Sequence, residues 1–94
     1  MRVSLEPEAL ETLSDISEFI DTINTPGAGQ FWVTDFIFHL YTYAKPNVTY
    51  ALCQNQIFAN DGLSCISNKG WVVAFQINGD EMRVHHIVRG NILA

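Results

Sequence analysis

Apolar residues recur at steps of three and four along the first half of the chain and alternate along the last quarter. Val3 and Leu5 share one side of a short strand predicted over Arg2 to Leu5. Leu10, Leu13, Ile16, Ile20 and Ile23 then form a stripe that predicts an amphipathic helix from about Pro7 to Asn24, with proline in the first turn, where a missing donor costs nothing. After the break at Thr25–Gly29, a second helix is expected from about Ala28 to Ala44. Val33, Phe36, Ile37, Leu40, Tyr41 and Ala44 fit its inner face. Phe31, Trp32, Phe38 and Tyr43 do not all fit that stripe. A small chain has too little protein to surround such a helix, so part of this aromatic surface is expected to be exposed or in an interface.

Lys45-Pro46-Asn47 ends the second helix, and strand-like pieces follow. Val48–Cys53, Gln56–Ala59 and Leu63–Ile66 read as short apolar runs separated by Asn60-Asp61-Gly62 and closed by Asn68-Lys69-Gly70. Trp71 to Ile77 is the clearest strand, with Trp71, Val73, Phe75 and Ile77 on one face. Asn78–Glu81 turns the chain, and Met82 to Val88 returns. Strict alternation groups Met82, Val84, His86 and Val88 against Arg83, His85, Ile87 and Arg89. Gly90 closes this strand, and Asn91–Ala94 form a short tail. The predicted architecture is α+β: an N-terminal strand, two consecutive helices, then three or four antiparallel strands in one domain over residues 1–94.

Composition supports one core. The chain has 94 residues, 48% of them hydrophobic, enough for a single domain without metal or disulfide staples. Charge narrows the function. Five Lys and Arg against ten Asp and Glu give −5, which argues against tight binding to free nucleic acid. Most of the acid lies at Glu6, Glu8, Glu11, Asp15, Glu18 and Asp21, read as a solvated helix face favoured by the N-terminal dipole. Cys53 and Cys65 are too few for a disulfide scaffold and read as buried thiols in a reducing compartment. No signal core follows Met1 and no apolar run is long enough for a membrane span, so a cytoplasmic location is expected. Three scattered histidines and two distant cysteines make no metal motif, and Gly27 and Gly29 make no nucleotide signature. No cofactor is expected.

The order of elements, with Val3-Ser4-Leu5-Glu6-Pro7-Glu8-Ala9-Leu10 at the start and Trp71–Val84 as a late hairpin, resembles the RelE/ParE toxin superfamily, also called plasmid-stabilisation proteins. Leu13, Ile16, Phe19-Ile20, Gln30, Phe31 and Leu40 fall at matching helix positions. That family includes toxins that cut messenger RNA on the ribosome and toxins that poison DNA gyrase, both held inactive by an antitoxin segment wrapped around them. The sequence departs from the family where basic residues matter. His86 stands at a strand position that commonly carries arginine, Arg89 precedes Gly90 where histidine is usual, and Asn91 and Ile92 add no cation.

The resemblance and the charge together imply a toxin-like component of a toxin–antitoxin pair that acts by protein binding and is non-catalytic. Its partners would be an antitoxin or a second copy, with gyrase or the ribosome as the target. One alternative is a ribosome-dependent endoribonuclease. By parity Arg83, His85 and Arg89 share a strand face, where histidine could move a proton and the arginines could clamp phosphate. Another alternative is a non-toxic homodimeric scaffold. For partner binding the candidates are Trp32 and Phe38, as aromatic anchors, and Asp35, as a salt-bridge acceptor for a partner's arginine.

Overall fold

The computed structural model describes residues 1–90; the tail expected at Asn91–Ala94 lies outside them. The chain runs β1 (Arg2–Leu5), α1 (Pro7–Ile23), α2 (Ala28–Leu40), α3 (Gln56–Asn60), β2 (Ser64–Asn68), β3 (Trp71–Asn78) and β4 (Glu81–Arg89). The four strands form one sheet in the order β1-β4-β3-β2. β2, β3 and β4 are antiparallel neighbours, whereas β1 lies parallel to β4. That is the expected α+β order, with β1 joining the sheet of the late hairpin.

The α1–α2 hairpin covers one face of this sheet. Ala9 and Leu13 of α1 and Phe36 and Leu40 of α2 are buried against Val73, Phe75, Met82, Val84 and Ile87. The stripe on α1 therefore runs Ala9, Leu13, Ile16, Ile20. Leu10 and Ile23, expected in it, are 55% and 62% exposed. The first turn presents Ala9, four residues before Leu13, rather than Leu10, three before it, and Leu10 lines the outer α1–α2 groove. Helix α2 stops at Leu40, short of the expected Ala44, and Tyr41 is exposed. A Cβ at Gly29 would overlap the carbonyl oxygen of Ser17, so glycine is what lets the two helices touch here. Asp21 accepts from the Gly27 and Gly29 amides at 3.2 and 2.8 Å, placing its charge at the positive end of α2.

Residues 48–55 are irregular apart from one bridge, Leu52 to Ser64, and Gln56–Asn60 is a helix rather than a strand. The Asn55 side chain accepts from the Phe58 amide at 3.2 Å and sets that turn. Tyr50 pins the preceding segment by donating to the Tyr43 carbonyl at 2.9 Å and packing edge-on against Phe75. Cys53 and Cys65, expected as free thiols, form a disulfide. Folding brings their Cα atoms to 4.8 Å because Leu63 returns the chain through the Cys53 N–H to Leu63 carbonyl bond. With Phe58, Leu63 and Ala74, Cys53 makes a second, smaller core on the face away from the helices. Lys69 and Gly70 join β2 to β3 with φ of 53° and 83°, a two-residue turn with both central residues left-handed.

Candidate interaction surface

A bulge in β4 decides where its functional candidates go. The β3–β4 register pairs Phe75 with Val84 but Ala74 with His86, so His85 is an extra residue. Before it, Met82 and Val84 face the helices; after it, Ile87 does. The same-face grouping of Arg83, His85 and Arg89 is thereby corrected. Arg83 pairs across from Gln76 on the face away from the helices, while Arg89 pairs across from Trp71 on the helix-covered face. Strict alternation also misplaced His86 and Val88, which lie on the α3 side with Ala74.

The two arginines and His86 each have a specific local engagement, and His85 does not. Arg83 donates to Glu6 at 2.9 Å and to Glu81 at 3.0 Å, and Arg2 reaches the other Glu81 oxygen at 3.3 Å. The hydrogen bonds to Glu6 and then Glu81 raise the Arg83 pKa, and the bond from Arg83 holds Glu81 below the usual carboxylate value. This network ties parallel β1 to β4 and leaves Arg83 little to offer a phosphate. His85 Nε2 is buried and meets no hydrogen-bond partner among the described residues. His86 stacks on Phe58, centroids 4.7 Å apart and 9° from coplanar, with Nδ1 3.3 Å from Glu8. The Arg89 guanidinium lies over Trp71, 5.2 Å from the ring centroid.

The partner-binding candidates separate as well. Phe38 is 69% exposed and shares the outer face of α2 with Phe31, at 79%. Trp32 is half-buried: it stacks on Phe36 at 5.1 Å and packs against the main core. Asp35 is ion-paired within the chain to Lys69, with His39 3.5 Å away. The hydrogen bond from Lys69, more than its charge, lowers the Asp35 pKa.

Between α1 and the end of the sheet lies a 460 Å³ groove lined by Ile16, Phe19, Ile20, Trp32, Trp71 and Arg89. Sequence reasoning missed it because it is built from four elements, α1, α2, β3 and β4. Phe19, off the inner stripe of α1 and 62% exposed, was the one signal available.

A chain of the chromosomal ParDE TA system from P. aeruginosa has this fold. The two share a TM-score of 0.72 at 15% sequence identity, over 95% of each chain. No protein-family model matches the sequence, and no curated protein matches it. The likeness is one of backbone architecture. Among the described residues there is no cluster of three or more metal-ligating side chains, and no helix is long and apolar enough to cross a membrane.

Proposed function

We propose that this protein is the toxin-like component of a toxin–antitoxin pair and that it acts by binding another protein rather than by cutting RNA. The observation that carries this reading is the bulge at His85, on a backbone shared with a chain of a ParDE TA system. It separates Arg83 from Arg89 across the sheet. RNA cleavage needs a base, a donor and cations converging on one phosphate, and these residues diverge. An overall charge of −5 further disfavours approach to RNA.

A protein target such as gyrase fits this reading better than the ribosome's RNA. The exposed Phe31 and Phe38 supply an aromatic surface for an antitoxin or a second copy. The test is controlled expression with growth and transcript integrity followed together. The expected result is slowed growth with intact transcripts, relieved by co-expression of a small protein encoded beside it. Site-specific messenger cleavage in a ribosome-containing assay, abolished by Arg83→Ala or His85→Ala in a folded protein, would replace this reading with the endoribonuclease.

A further inference from the structure

The β3–β4 hairpin turns through Gly79 and Asp80, between the ladder pair Asn78 and Glu81. Gly79 has φ of 60°, the left-handed value that a two-residue turn of this kind asks of its first central residue. Among the described residues Asn78 is the one asparagine followed by glycine. It is exposed, and so are Gly79 and Asp80. Nothing lies within 4 Å of the place where a Gly79 Cβ would stand. The Gly79 amide donates no hydrogen bond among the described residues, and the Asn78 side chain makes none. Other asparagines are engaged: Asn55 accepts from the Phe58 amide, Asn60 accepts from Gln56, and buried Asn68 donates to the Phe36 carbonyl. Asn24 and Asn47 precede the β-branched Thr25 and Val48, which shield the next amide nitrogen. At Asn78 a free side-chain amide, a free backbone nitrogen and an unhindered neighbour coincide.

We propose that Asn78 is a site of spontaneous covalent modification, converting to aspartate and isoaspartate, and that the isoaspartate form loosens β1 from β4. The Gly79 nitrogen, after losing its proton, attacks the Asn78 side-chain carbonyl carbon. The new C–N bond closes a five-membered imide, the bond to Nδ2 breaks, and ammonia leaves with the proton. Water then opens the imide. Attack at the side-chain carbonyl restores the main chain and leaves aspartate. Attack at the main-chain carbonyl leaves isoaspartate, with the chain running through the former side chain and one methylene longer. Water enters, ammonia departs, and nothing is oxidised or reduced. Either product puts a carboxylate directly across from Glu81, where like charges on opposed strands repel. Glu81 is the acid that Arg83 and Arg2 share. The isoaspartate product also lengthens the chain beside Asp80, whose carbonyl accepts the Arg2 amide at 2.7 Å and so fixes the start of β1.

The test incubates the folded full chain in mildly alkaline buffer at growth temperature and maps its peptides by mass over time. The peptide holding Asn78 is expected to gain about 1 Da before those holding Asn24, Asn47, Asn55, Asn60 or Asn68. An isoaspartyl methyltransferase with labelled methyl donor is expected to label the aged chain and not the fresh one. Asn78→Gln, whose longer side chain closes the imide ring poorly, is expected to abolish both signals in a protein that folds as the parent does. The structural consequence is read at the Arg2 amide by hydrogen exchange. It is expected to exchange about tenfold faster in the aged chain than in fresh Asn78→Asp, which carries the charge without the longer main chain. An earlier mass gain at another asparagine, a mass gain at Asn78 without methyl labelling, or a folded chain that stays unchanged while an unfolded peptide of the same sequence reacts would each overturn the site. Equal Arg2 exchange in the aged chain and Asn78→Asp would overturn the loosening of β1.

Discussion

On the helix-covered face of the sheet, side chains from α1, α2, β3 and β4 meet in a continuous core, with Phe36 and Phe75 among its largest members. On the opposite face, Phe58, Leu63 and Ala74 gather around Cys53 beneath a five-residue helix. The first face is closed by long elements whose apolar stripes point at one another, and burial is the main thing that holds it. The second has too little apolar area for that. It relies on a disulfide, an Asn55 cap and the stacking of Phe58 on His86. Where burial is scarce, local chemistry and covalent closure take over.

The comparison breaks first at the large core. Phe36→Ala removes a fully buried ring stacked on Trp32 and should destabilise the protein by about 3–5 kcal/mol, measured by denaturant unfolding. A loss below about 1 kcal/mol would mean that the helices are not anchored through Phe36. The disulfide comes next. Replacing Cys53 and Cys65 together by Ala should cost about 2–4 kcal/mol, since the bond closes a short loop in the unfolded chain. The two faces should then respond differently. Amide exchange at Phe58 and Leu63 should accelerate more than at Phe75 or Leu40, because the small core opens without unfolding the large one. Uniform acceleration would show that the faces form one cooperative unit.

The difference between the faces also explains what could be read from the sequence. The stripes of α1 and α2 and the alternation of β3 repeat over many residues, so small errors of phase leave the elements recognisable. Leu10 replaced Ala9 in the expected stripe, yet α1 was found. The second face has no such redundancy. Gln56–Asn60 is shorter than two helical turns, so a strand and a helix look alike there, and only the Asn55 cap distinguishes them. Whether Cys53 and Cys65 pair depends on Leu63 bringing the chain back, which spacing alone does not encode. The bulge at His85 is invisible for the same reason. Alternation assigns faces correctly up to Val84, and one extra residue reverses every assignment beyond it. Exposure of Phe38 was legible because it lies opposite the inner stripe of α2. Asp35 was legible as polar, but its partner Lys69 comes from a distant turn.

A third substitution probes the contact between the two helices over the large core. Gly29→Ala places a methyl group against the Ser17 backbone, which cannot rotate aside as a side chain would. The hairpin must spread, at about 1–3 kcal/mol, with the loss visible as a lower melting temperature. If the variant is as stable as the parent, α1 and α2 slide more freely than their close approach implies.

The smallest effect tests whether the ion pair between α2 and the β2–β3 turn adds anything to the well-buried face. The bond from Lys69 holds the Asp35 carboxyl below its ordinary value of 3.8, so the folded state binds this proton less readily than the unfolded chain. Stability from the pair is then fully present above the unfolded value and is lost as pH falls through the lower, folded value. Between pH 7 and 5 it should be constant. Below about pH 4 the parent should lose stability faster than Asp35→Asn, which has no carboxyl to protonate. The pair is exposed at both ends, so the difference at neutral pH should be near the limit of measurement. Parallel acid-unfolding curves for parent and variant would show that Lys69 and Asp35 make no net contribution. Curves that diverge only below pH 4 would show that a weak surface pair supplements a face already secured by Phe36 and Leu40.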